Sequence, residues 1–270
     1  MSTAVFEVAC SIPHRMQELN RITSLAHNLV DKDEDSYNTL CRACCVLLAS
    51  HLEGFLKDLS KSLASDLYFN LQTFAKMPEA MKRSFCEKIA FYEGVPKEDV
   101  NQRVKQLIAF FSTHSVAIDF QAFSYKENNN KNPGPDVLET SFEKMGVPAV
   151  LHSIAGGRLE NIFKNDANLS YILRRDIRRF RSTLYSFPYK PLPNTYAFNF
   201  KAAKTAKGKG GNSLWHAFIE EVMRRRHSIV HGDTMANDTD VIELDHDIEK
   251  MDVLMHSVLY SAAAYLVIST

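Results

Sequence analysis

Arg224-Arg-Arg-His-Ser-Ile-Val-His-Gly-Asp233 gathers three arginines, two histidines and an aspartate in one short run. Imidazole is the side chain whose ordinary titration lies near neutrality, so it can take or give a proton at working pH. A guanidinium suits a phosphate whose charge grows in a transition state. These are the parts needed to cleave RNA through its own 2′-hydroxyl. One imidazole removes the hydroxyl proton, a second acid protonates the leaving oxygen, and arginine stabilises the pentavalent phosphorus. No metal or cofactor is required. The same residues allow a rival chemistry. His227 and His231 are four apart, the spacing that sets two imidazoles on one helix face for zinc, with His216, Asp233 and Asp240 available to complete the site. Three adjacent arginines repel a dication and weigh against it.

Spacing adds a constraint. Residues five apart on a helix differ by about 140° in direction and roughly 7.5 Å in height. Arg226 and His231 of one chain therefore do not aim at one point unless the helix end unwinds. Two such ends brought together by a twofold axis place both residue types around one cleft, so a homodimer is expected. The pair Arg21/His27 has related spacing but lies in an early helix without basic neighbours.

The elements that must position these residues are helical. Glycines and prolines are few, ten and nine, and apolar residues make up 45% of the 270. Leu40, Cys44, Leu47, Leu48, Leu52, Phe55, Leu59, Leu63 and Leu67 draw one apolar stripe at three- and four-residue steps, giving a long helix over 35–69. Met16–Val30 has helical character with weaker periodicity. Shorter helices are expected over 79–93, 98–113, 137–144 and 149–164, the last broken near Gly156-Gly157. Helices over 168–187, 212–232 and 245–268 follow. Asn212 or Ser213 serves as N-cap of the penultimate one and Gly232 as its left-handed C-cap. The expectation is one all-α domain over 1–270, an antiparallel helical bundle. Its core comes from 35–69, 168–187, 212–232 and 245–268, with 70–165 as a helical insertion.

Arg226-His-Ser-Ile-Val-His231-Gly resembles the signature of the HEPN superfamily, in which Arg, a polar residue, three more residues and His close a helix. The segment from Cys41 to Leu59 is similar to the long helix of one branch, the RiboL-PSP-HEPN group of prokaryotic proteins. The resemblance implies a helical bundle that pairs through its motif helices. It also implies metal-independent endoribonuclease activity, often in toxin–antitoxin or antiviral systems. It makes Arg226 and His231 the catalytic pair and His227 the polar residue between them. Glu53 on the long helix is the candidate supporting carboxylate. The alternative is a HEPN-like module without catalysis that binds RNA or nucleotide, or partners an antitoxin.

Charge distribution points to a polyanion. Net charge is zero, yet Arg174 to Arg226 holds thirteen Lys/Arg against Asp176, Glu220 and Glu221. Arg174, Arg178 and Arg181 share one helical face, and Lys201, Lys204, Lys207 and Lys209 lie in a Gly-containing loop. With Arg224 and Arg225 they form the expected RNA-binding surface, although such a run also commonly pairs with acidic helices. Seven aromatic residues between Phe180 and Phe200 offer stacking platforms or core rings. Met1–Asn20 carries charges and no apolar h-region, and the apolar run Ser257–Thr270 is too short to span a bilayer, so a cytoplasmic protein with no membrane association is expected. An antitoxin or defence-system protein is a further expected partner. Five cysteines in helical patterns read as reduced thiols.

Overall fold

The computed structural model describes residues 2–91, 96–114, 116, 134–200, 213–232 and 239–269, and all regular structure among them is helical. The α-helices are α1 (Ala4–His27), α2 (Glu34–Leu71), α3 (Glu79–Ala90), α4 (Lys97–Thr113), α5 (Pro135–Lys144), α6 (Val150–Ile154), α7 (Ala167–Arg179), α8 (Leu214–His231) and α9 (Val241–Ser269). Short 3-10 turns lie at Phe74–Lys76, Arg158–Lys164, Phe180–Leu184 and Asn194–Tyr196.

The apolar stripe read from the sequence is the buried face of α2, where Leu48, Leu52, Phe55, Leu59 and Leu63 are almost wholly shielded. Its start is capped by Asp33, whose carboxylate accepts from Ser36 N–H at 3.0 Å. One window of α2 is long and apolar enough to cross a membrane by composition alone. Here the helix packs against α1, α8 and α9.

α1 belongs to the core, which the weak periodicity of its sequence did not announce. Val5, Ala9, Ile12, Met16 and Leu19 bury against α2 and α9. Its first turn is tied by a carboxylate from α2. Asp66 accepts from the N–H groups of Ala4 (2.8 Å) and Val5 (3.0 Å) and from the Tyr189 hydroxyl (2.7 Å). An anion at a helix N-terminus meets both orphan donors and the positive end of the dipole. The Thr3 hydroxyl and N–H donate to the carbonyls of Leu184 and Tyr185. The helix expected over 168–187 stops at Arg179 and continues as a 3-10 turn, and the carbonyls at the end of that turn serve α1.

α9 is the central element, buried all round from Met251 to Ala263. A helix so placed needs partners for the polar groups it carries, and most of them have one. The Ser257 hydroxyl donates to its own helix at the Val253 carbonyl (2.6 Å), Ser261 meets Ser153 of α6 at 2.6 Å, and Tyr260 donates to the Ile177 carbonyl of α7 at 2.6 Å. Asp252, with no exposed surface, takes Arg178 at 2.6 Å and Arg174 at 3.0 Å. Arg174 also reaches Glu249 at 2.9 Å. Burial alone would raise the Asp252 carboxyl. The His256 contact and the charges of His256, Arg178 and Arg174 overcome that and hold it well below the usual carboxylate range.

α3 and α4 pair with each other around an aromatic cluster of Phe74, Phe85 and Phe111, with centroids 5.4 to 6.1 Å apart. Cys41, Cys44, Cys45 and Cys86 are buried. Burial pushes the Cys44 thiol up to about 12 and Cys86 to about 11, which leaves them inert at neutral pH.

Asp252→Asn should cost about 3 kcal/mol, because it strands two partly buried guanidinium groups. A carboxyl whose folded pKa is depressed contributes stability that is present above its unfolded value, about 3.9, and is lost as pH falls through the folded value. The difference in urea midpoint between wild type and Asn variant should be constant above about pH 5 and shrink below pH 4. A flat difference across that range would contradict the ion-pair account.

Candidate functional site

The motif run forms the last turns of α8. Ser213 caps the start, its Oγ accepting from the His216 N–H. Gly232 ends the helix in the left-handed region, at φ 73°, a conformation that disfavours any side chain. α8 stays helical through His231, so the end does not unwind within the motif. Arg226 and His231 of one chain consequently keep their separate directions. What lies beside His231 is the ring of His227, one turn back, with centroids 4.2 Å apart and planes inclined at 48°. Both imidazoles are exposed and Arg226 is half-buried.

The three arginines have three different environments. Arg224 is on the outside, bidentate to Glu221 one turn earlier (2.7 and 2.9 Å). Arg225 is turned inward and only 8% exposed. Its guanidinium pairs closely with Asp247 of α9, with Glu243 and the Thr239 hydroxyl at 3.4 Å. Lys250 approaches Asp247 from the other side at 3.2 Å. Burial lowers the Arg225 pKa, but the Asp247 carboxylate more than reverses this and keeps it charged. Arg225 locks α8 to α9 and is turned away from the outward surface expected of it.

The same correction applies on α7. Arg174 and Arg178 are committed to Asp252 and Glu249, and the Arg181 Nε donates to the Arg178 carbonyl at 2.9 Å. Two of the three arginines of the face read as phosphate-tracking are thus paired with an acidic helix about 75 residues later in the chain. Asp176 bonds the Tyr196 hydroxyl at 2.8 Å, which buries Tyr196 with Arg158 above its ring. Tyr189 is buried on Asp66, and Tyr185 is exposed against Phe6. Lys201, Lys204, Lys207, Lys209 and Asp233 lie outside the described residues.

Glu53 is half-buried on α2, and its carboxylate accepts from Lys57 one turn on at 2.8 Å. His27 pairs with Asp245 at 2.7 Å, a structural role that removes it from consideration. His216 sits at the opposite end of α8 from His227 and His231, about 16 Å along the axis from the first of these. His216 is therefore too far away to complete a zinc set with them. A cavity of about 650 Å³ lies elsewhere, between α3 and α4, lined by Arg83, Lys88, Phe91, Lys97 and Lys144.

A helix that presents an arginine, a following polar residue and a terminal histidine before a left-handed glycine is the arrangement at issue. The RiboL-PSP-HEPN family model matches residues 11–261, nearly the whole chain, from α1 into α9. The chain belongs to the RiboL-PSP-HEPN family. No curated protein and no solved structure matches it. The match confirms the HEPN-type resemblance seen in the motif and the long helix, and places both α2 and α8 inside the family's module.

Division of labour along α8 yields a direct test. Arg225→Ala should destabilise the HEPN chain by about 3 kcal/mol, because Asp247 loses its principal partner in a buried setting. Arg224→Ala, whose ion pair is exposed, should change stability by less than about 0.5 kcal/mol. Urea titrations of both variants measure the contrast, and equal effects would contradict the inward placement of Arg225.

Proposed function

We propose that this protein is a metal-independent endoribonuclease acting as a homodimer, with Arg226 and His231 as its catalytic pair. The observation that carries the reading is the outer face of the α8 end. It holds two exposed imidazoles 4.2 Å apart and a half-buried arginine ahead of a left-handed glycine, in a chain of the RiboL-PSP-HEPN family. His231 removes the 2′-hydroxyl proton, and the resulting oxygen attacks the adjacent phosphorus. Arg226 stabilises the charge gathering on the phosphoryl oxygens. An imidazolium returns a proton to the 5′-oxygen as it leaves. The products are a 2′,3′-cyclic phosphate and a 5′-hydroxyl. His227, whose ring lies tilted against that of His231, orients it or supplies the second proton-transfer group. Arg224 is the described cation of the RNA-binding set that faces outward, while Glu53 supports from α2.

Two observations support a second copy. The regular helix keeps Arg226 and His231 of one chain pointing apart, so a shared cleft draws one from each subunit. Beside the motif, Ile229 lines a groove with Ile22, Ala43, Val46 and Leu47, and Val230 is 58% exposed. Apolar surface next to charged chemistry suits an interface. A role in a toxin–antitoxin or antiviral system, with a restraining partner protein in the cytoplasm, fits a nuclease of this kind.

Purified protein should cut RNA in excess EDTA and leave cyclic phosphate ends, and substrate with 2′-deoxyribose at the scissile position should be inert. His231→Ala should lower the rate by roughly a hundredfold to ten-thousandfold with the fold intact. Binding without cleavage in the wild type would point to a non-catalytic HEPN module instead.

Inactive Arg226→Ala and His231→Ala chains, mixed and allowed to exchange, should regain measurable cleavage, because the heterodimer restores one cross-subunit pair. Silence after verified exchange, together with activity of a tandem-linked dimer holding one wild-type half, would mean the pair acts within one chain.

A further inference from the structure

A second constellation lies at the other end of α8, formed by residues from three elements. Glu139 of α5, His152 of α6 and His216 of α8 bring one ligand atom each to within 4.8 Å of one another. Glu139 Oε1 is 3.6 Å from His152 Nδ1 and 3.9 Å from His216 Nε2. The two imidazole rings have centroids 4.6 Å apart. Three such groups lie too far apart for direct hydrogen bonds and too close to ignore each other.

The unusual feature is what these groups lack. Glu139 Oε2 and both ring nitrogens of His152 are buried from solvent without a hydrogen-bond partner. Leaving three polar atoms unsatisfied in one place costs several kcal/mol in total, and native structures rarely accept that without a ligand. Capping of α6 accounts for Glu139 Oε1, which accepts from Leu151 N–H at 2.9 Å, but not for Oε2.

We propose that Glu139, His152 and His216 bind a zinc-class divalent transition-metal ion that staples α5 and α6 to the first turn of α8. Two imidazoles and a carboxylate are a zinc-type donor set, and one coordination position remains for water. Ligand atoms in a tetrahedral zinc site are about 3.4 Å apart. Separations of 3.6 and 3.9 Å meet that with small side-chain rotations. The ring of His216 is already oriented: its Nδ1 lies 2.7 Å from Ser213 Oγ and accepts from the Ser213 N–H at 3.3 Å, which leaves Nε2 on the side of Glu139. The ion brings positive charge to Glu139 and a partner to His152. It sits about 22 Å along α8 from His231 and takes no part in RNA cleavage.

The test uses the full chain, stripped with chelator and titrated with zinc against a chromophoric competitor. The expected result is one zinc per chain and a raised thermal midpoint, retained by the His227→Ala/His231→Ala double variant. Affinity should fall by on the order of a hundredfold in His152→Ala and in Glu139→Gln. X-ray absorption on the zinc-loaded double variant should show two imidazole nitrogens and oxygen, a readout that does not depend on the core variants folding. Absence of stoichiometric binding, undiminished wild-type affinity in the Glu139 and His152 variants, or loss of binding in the double variant would each overturn the site. Cleavage in EDTA, assayed below the melting point of the stripped protein, is read separately and fails or succeeds independently.

Discussion

The structure depends on the buried carboxylates of α9. That helix fills the centre of the molecule, yet carries Asp247 and Asp252 where water cannot reach them. Each is tolerable only because a guanidinium arrives from a neighbouring helix: Arg225 from α8, and Arg174 with Arg178 from α7. Replacing such pairs with apolar residues need not weaken a core, but breaking one partner does. The pairs therefore fix rotation and register. Apolar contacts alone let a helix slide by a turn at modest cost, whereas a buried aspartate that misses its arginine cannot be accommodated. Because Arg225 must face Asp247, Arg224 and His227 face outward, and the outward face of α8 is where the proposed chemistry sits.

Electrostatics around α9 also shows why charge counts along a sequence mislead. The excess of cations between Arg174 and Arg226 is real as arithmetic. Three of those cations, Arg174, Arg178 and Arg225, are compensated by carboxylates of α9, at separations of roughly twenty to eighty residues. Arg224, Arg225 and Arg226 look equivalent in one dimension. A helix rotates successive residues by about 100°, so the middle one is buried while its neighbours are not.

What was legible beforehand follows the same logic. The α2 stripe, the Ser213 cap, the Gly232 stop and the break near Gly156 are local signals, written within a few residues of where they act, and each appears in the structure. α1 was under-read because its apolar residues are interleaved with Pro13, His14 and Arg15, and because its N-terminal tie comes from Asp66, sixty residues away. The motif was visible because Arg226, His227 and His231 lie within the last two turns of one helix. The Glu139, His152 and His216 cluster was not, since its members lie in three elements with no shared period. Each histidine alone resembles an ordinary core residue.

The split along α8 bears on how far scaffold and chemistry depend on each other. Its inner face, through Arg225, Val222 and Trp215, carries the fold, while the outer face at His227 and His231 is solvent-exposed and packs against little else in the chain. Substitutions at His227 and His231 therefore remove few of the contacts that hold the fold, so the proposed chemistry is separable from the scaffold: a single change on the outer face would erase it and leave the helices packed as they are.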